Sequence, residues 1–341
     1  MGNRATPPRS FNTVKHSNRK ERHERLERGR MTLLSICVVI LAIFLVTAIF
    51  IFCSLAHELN SRKDQEALGN ETETNDQGSN PQNILYAQIT QANGKVHEGE
   101  LILVNSDNAY VFPAVQAGLV NIYENRTKVN GTNPYQISYT TYQLQKTAFD
   151  AFESMLLKYY EVSEDNSTII TSSYRTHKDQ EDLGSSIKAG YSDHHTGFCV
   201  ALQKTGTSAA GNREKLEADH WIYQNCHKYG FIIRYPADKT TQTGVSNYPE
   251  AIRYVGVAHA TYMKNNNLCL EEYVNRLKDH TLNNALSVTA DNGNRYQIYY
   301  IPANPTDALV QFKVPSNYSY EVSGDNVGGL IVTVNLNSPT E

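Results

Sequence analysis

The sequence predicts an α+β fold, and three observations lead there. Apolar residues recur at helical spacing over Tyr142 to Tyr160. Short β-branched and aromatic runs stand elsewhere, and the two kinds of segment mix without the βαβ rhythm of a parallel sheet. The tail beyond Ala285 is built of strand-like runs around an Asn292-Gly293 pair, a hairpin signal.

Before any of this comes a segment of a different kind. Met31 to Ala56 is 26 residues without a charged side chain. As a helix it would extend about 39 Å, enough to cross a hydrocarbon core of about 30 Å with some tilt. Ser54-Leu55-Ala56 has the outline of a cleavage site, but the apolar run is too long for a signal peptide. We expect one uncleaved transmembrane helix over 31–56.

Residues 1–30 carry nine Lys/Arg against Glu21, Glu24 and Glu27, a net +6, whereas the whole chain is −4. A basic leader beside an apolar span stays in the cytoplasm, so the rest of the chain is expected on the outer side. Topology accounts for this charge, and nucleic acid is not an expected partner. His57 to about Asn83 is polar and reads as a flexible linker over 57–83. Cys37 and Cys53 fall in the apolar run. Cys199, Cys226 and Cys269 are too few to make a disulfide framework.

A first domain is expected over 84–280. In the helix at Tyr142 to Tyr160, Leu144, Ala148, Phe152, Met155 and Tyr159 share one face. Thr168 to Ser172 is β-branched and reads as a core strand leading to Arg175. Asn212 to Tyr229 is predicted as a second helix closed by Gly230 in a left-handed cap, with Phe231 to Tyr235 as a strand stopped by Pro236. A small β module over 285–336 follows, with strands at Ser287–Ala290, Tyr296–Tyr300, Leu309–Val314 and Gly329–Val334. Such a module could bind a polymer or simply pack against the first domain.

Five motifs stand in one order: Ser173-Tyr174-Arg175-Thr176 with Gln180; Ser192-x-His194-x-x-Gly197; Tyr229 through Pro236; Thr243-Gly244; and Arg253-Tyr254-Val255-Gly256. Over roughly Leu101 to Leu277 the chain resembles the D-alanyl-D-alanine carboxypeptidases of the vancomycin-resistance type. These zinc D,D-peptidases trim the last D-Ala from bacterial wall peptides. The resemblance implies a mixed, mostly antiparallel sheet, a bacterial source and an extracytoplasmic setting.

It also implies a site. Zinc in that family is held by the His of Ser-x-His-x-x-Gly-x-Ala-x-Asp, by its closing Asp, and by the His of Glu-Pro-Trp-His-x-Arg-Tyr-Val-Gly, whose Glu is the general base. Anchored on Arg253 to Gly256, with Pro249 fixing the register, His194 is the only retained ligand. The Asp position is Ala201, the second His is Ala251 and the base is Tyr248. Alanine offers no lone pair, and a phenol with a pKa near 10 is no carboxylate base at neutral pH. We therefore expect no zinc and no catalytic residue. A metal site rebuilt from His195, Glu250 or Asp193 is the alternative, with His195 turned away from His194 if this stretch is extended.

The resemblance places Arg175, Ser192 and Gln180 against substrate. A guanidinium matches a carboxylate as a planar fork, although Arg175 could equally make a structural ion pair. Cys199 stands two residues before Ala201 and reads as packing. Three functions follow: a membrane-anchored, inactive relative that binds the stem peptide or a wall enzyme; an active carboxypeptidase with a rebuilt metal site; or a surface domain that binds neither.

Overall fold

The computed structural model describes residues 84–206, 212–246 and 248–340. The leader 1–30, the predicted span 31–56 and the linker 57–83 lie outside them. Among the described residues, no helix is long and apolar enough to cross a membrane.

Strand β1 (Tyr86–Ala92) opens the described chain, followed by the short strands β2 (Leu119–Asn121), β3 (Gln136–Ile137) and β4 (Gln143–Gln145). Next come β5 (Thr168–Ser172), β6 (Cys199–Thr205), β7 (Arg213–Glu214), β8 (Phe231–Tyr235) and β9 (Tyr248–Tyr254). The central sheet runs β3-β5-β6-β9-β8, with β7 on the end of β6. Only β3–β5 is parallel; the other pairs are antiparallel. This is the mixed sheet expected of the sequence.

The long helix Lys146–Ser163 covers one face of that sheet. Phe149, Phe152, Met155 and Leu156 enter a core with Ile170, Val200, Leu202, Phe231 and Ile252. The helix starts four residues later than Tyr142. Leu144 is buried as predicted, but in β4, where its backbone pairs with Val120. A buried apolar residue satisfies the helical period whether or not the helix has begun, so the pattern overran the boundary.

Asn212 to Tyr229 is not one helix. Arg213 and Glu214 pair with β6, an α-turn spans Trp221–Asn225, and a 3-10 turn spans Cys226–Tyr229. Strand pairing overrides helix propensity there. The predicted cap holds: Gly230 has φ +81°, a left-handed conformation that suits glycine.

The tail adds β10 (Leu286–Thr289), β11 (Arg295–Pro302), β12 (Leu309–Pro315), β13 (Tyr318–Gly324) and β14 (Gly329–Pro339). Four of these form a sheet in the order β10-β11-β14-β13, and β12 leaves it to pair with β1. Strand β13 is not evident in the sequence, because Tyr318–Gly324 is largely polar and mixes with turn formers. One face of the sheet (Ile298, Tyr300, Ile331) shares a core with the helices Val257–Asn265 and Leu270–Leu277, and the other (Tyr299, Leu330, Val332) closes on β1 and β12. The tail and the first domain are thus joined by a common core, and the described residues fall in one compact unit.

Candidate functional site

The site forms where β5, β6 and β9 end together. Beyond β5 the chain turns at Thr176, which caps the helix His177–Asp182 in a reciprocal arrangement with Asp179. That helix carries Gln180, buried beneath Arg175. Arg175 donates from Nε and Nη2 to Ser172 Oγ (3.0 and 2.6 Å) and from Nη1 to Gln180 Oε1 (2.6 Å). Gln180 Nε2 in turn donates to the Ile187 carbonyl at 2.8 Å. Arg175 and Gln180 are therefore brought together as a braced unit. Two of the guanidinium's five N–H groups remain for the Tyr248 hydroxyl beside it and for a ligand.

Ser192 is placed differently. It is buried, and its Oγ accepts from the His194 amide at 3.4 Å, capping a 3-10 turn over Asp193–Thr196. The turn, rather than a strand, sets the two histidines. His194 Nδ1 meets the Ser173 carbonyl and His195 Nδ1 meets the Arg175 carbonyl, both at 2.8 Å. Gly197, at φ +76°, then feeds the chain into β6. Because a carbonyl can only accept, the proton of neutral His194 sits on Nδ1, and Nε2 faces Cys199 Sγ at 3.9 Å. Burial, reinforced by Arg175, holds His194 well below its usual pKa and thus neutral.

Ala201 and Ala251 are direct partners across β6 and β9, and both are fully buried. Around them lies an apolar group sequence reasoning did not assemble. Cys199, Tyr235 and Ala251 pack with Ile187, Val245 and Tyr248, and Tyr248 stacks on Tyr235 with ring centroids 6.1 Å apart. Burial pushes the Tyr248 hydroxyl up to about 12, Cys199 adding to the rise. The Cys199 thiol rises to about 12, again through burial first and Asp193 second. Its spacing of two residues from Ala201 was the one signal that Cys199 shares this face.

The residues that might have rebuilt a metal site are engaged elsewhere. Asp193 is buried between Arg234 and Arg253, bonding Arg234 Nε and, at 3.1 Å, Arg253 Nε. Glu250 lies on the opposite face of β9 from Ala251 and pairs with Lys215 at 3.0 Å. His195 Nε2 accepts from the Gly190 amide at 3.0 Å, so both its nitrogens are used. Among the described residues, no three His, Cys, Asp or Glu side chains converge on one point. Beside the site, Ile187, Tyr235 and Val245 back onto an open cleft of about 330 Å³ whose lining includes Lys188 and no carboxylate.

Comparison with known proteins gives this geometry its frame. Residues 141–257 match the family described as VanY, D-alanyl-D-alanine carboxypeptidase. A D-alanyl-D-alanine carboxypeptidase of Enterococcus faecium is 33% identical over 251 residues, covering 70% of this chain and 76% of that protein. The chain belongs to the VanY D-alanyl-D-alanine carboxypeptidase family. A second such carboxypeptidase, from Enterococcus faecalis, is 45% identical over 89 residues, 26% of this chain and 32% of that protein. Among solved structures, the vancomycin-resistance D,D-dipeptidase VanXYg, in complex with a D-Ala-D-Ala phosphinate analogue, superposes with a TM-score of 0.63 at 25% identity. It covers 74% of this chain and 99% of that one.

Membership of the VanY family implies zinc, and the residues at this site do not fit it. A catalytic zinc needs three protein ligands with an open position. Here the positions that the resemblance assigns to the ligands, His194, Ala201 and Ala251, supply one neutral imidazole and two methyl groups. The further donors, a thiol and a phenol raised to about 12, are held protonated at neutral pH. Arg175 adds a fixed positive charge beside them.

Proposed function

We propose that this chain is a VanY-family member that binds the D-Ala-D-Ala end of a peptidoglycan stem peptide without cleaving it, held at the outer face of the membrane by residues 31–56. It thereby serves as a recognition partner in the wall, for peptide or for a wall enzyme. One observation carries the reading: the Arg175–Gln180 unit is braced beside an apolar cluster of Cys199, Tyr235 and Ala251 with Ile187, Val245 and Tyr248. A charge-assisted hydrogen bond contributes about 1.5–3 kcal/mol. The N–H of Arg175 that remains free can hold a terminal carboxylate without a metal. The cleft beside Ile187 and Tyr235 offers room for the residues that precede the terminus.

The test is binding without turnover. A peptide ending in D-Ala-D-Ala should bind the full chain in the high-micromolar to millimolar range, about 4–6 kcal/mol, and remain intact by mass spectrometry. Arg175→Ala should weaken binding about tenfold while the thermal transition stays cooperative. Release of D-Ala would support the rebuilt-enzyme reading. Absence of saturable binding, or no effect of Arg175→Ala, would leave Arg175 as a structural residue.

A further inference from the structure

A second cleft lies on the other face of β9, away from Ala201 and Ala251. Along β14 the side chains facing the first domain run Ile331, Thr333, Asn335, from the buried core to a polar margin. The pairing places Tyr296 beside Asn335 and Glu321 beside Thr333. On the edge strand β13, Ser319 and Glu321 border the hollow, while Tyr320 pairs with Val334 and turns to the opposite face of the sheet. The opposite wall is Tyr254, whose ring is fixed by Phe198 (centroids 6.3 Å, stacked) and Phe231 (5.3 Å, edge-on). Gly256 follows, with φ +87°. Having no side chain, it leaves open the space over Glu100, whose Oε2 would lie 3.7 Å from a Cβ there. These walls enclose about 260 Å³, and a second hollow of about 350 Å³ adjoins it through His259, Glu321 and Thr333.

Three features restrict what this cleft can take. Two tyrosine rings, Tyr254 and Tyr296, line a single hollow. Between them stand a carboxylate, a carboxamide and hydroxyls, groups that bond to the edge of a ligand rather than to an apolar body. No lysine or arginine lines either hollow, so an anionic ligand would meet only Glu100 and Glu321. A pyranose chain matches this, because its ring faces carry C–H groups that pack on aromatic rings while its edges carry donors and acceptors. We propose that the cleft between β9 and the β13–β14 margin is a binding site for a neutral, N-acetylated saccharide. The acetamido N–H would donate to Glu321 and its carbonyl would accept from Asn335.

The site is separate from Arg175, so the two proposals fail independently. Isothermal titration of the full chain in detergent with chitotetraose should show saturable, millimolar binding. Tyr296→Ala and Asn335→Ala should each weaken it about tenfold. Arg175→Ala should leave it unchanged. Cellotetraose, which lacks the acetamido groups, should bind at least several-fold more weakly. The proposal is overturned if chitotetraose shows no saturable binding, if Tyr296→Ala and Asn335→Ala both leave affinity intact, if Arg175→Ala abolishes binding, or if cellotetraose binds equally well.

Discussion

Glu100 shows how a single carboxyl can register its surroundings. Burial, with Glu321 opposite, pushes its pKa up to about 7, and a Thr147 hydrogen bond and Arg253 offset only part of this. Below the ordinary carboxyl range the proton is held in both folded and unfolded chains. Between that range and about pH 7 only the folded chain holds it. Stability should therefore fall as pH rises through this window. Glu100→Gln should remove the dependence, stabilising the protein on the order of 1–3 kcal/mol at pH 8 and leaving it unchanged at pH 4, as read from chemical denaturation. A Glu100→Gln curve parallel to the parent's would contradict this. Asp193 is the opposite case, a buried carboxylate matched by two arginines. That partnership is why a tempting neighbour of His194 is unavailable to a metal. Its role was not visible in the sequence, because Arg234 and Arg253 lie 41 and 60 residues away.

At the level of elements, what the sequence made legible was periodicity and punctuation. Thr168–Ser172 and Phe231–Tyr235 coincide with β5 and β8, and Gly230 caps as expected, since each is set by local residue chemistry. The start of the long helix, the break-up of 212–229 and the pairing of β1 with β12 depend on partners far along the chain. The site divides in the same way. Arg175, Gln180 and His194 were legible from motifs, and the Ala201–Ala251 pairing gives the two positions that the resemblance assigns to zinc ligands a shared location. The filling of that location by Tyr235, Ile187 and Val245 needed the fold. One contact between elements is especially unforgiving. Gly324 in β13 donates its N–H to the Glu98 carbonyl at 2.7 Å, and a Cβ there would overlap the backbone of Val96. Gly324→Ala should cost about 2–4 kcal/mol and lower the thermal midpoint, whereas Gly293→Ala, which meets no neighbouring atom but strains a positive φ, should cost less. Equal losses would argue against the packing described.

For the whole molecule, the charge asymmetry and the apolar run over 31–56 act in one direction. The folded unit should lie outside the cytoplasmic membrane. Protease added to intact, wall-stripped cells should remove it, and protection until lysis would reverse the orientation. Within that setting we propose that the chain keeps the VanY scaffold and its arginine while the metal centre has become packing. Zinc stoichiometry of the purified protein, measured by elemental analysis beside the triple variant Ala201→Asp, Ala251→His, Tyr248→Glu, tests it most directly. The parent should hold far less than one zinc per chain and the variant should approach one. Stoichiometric zinc in the parent would contradict the claim.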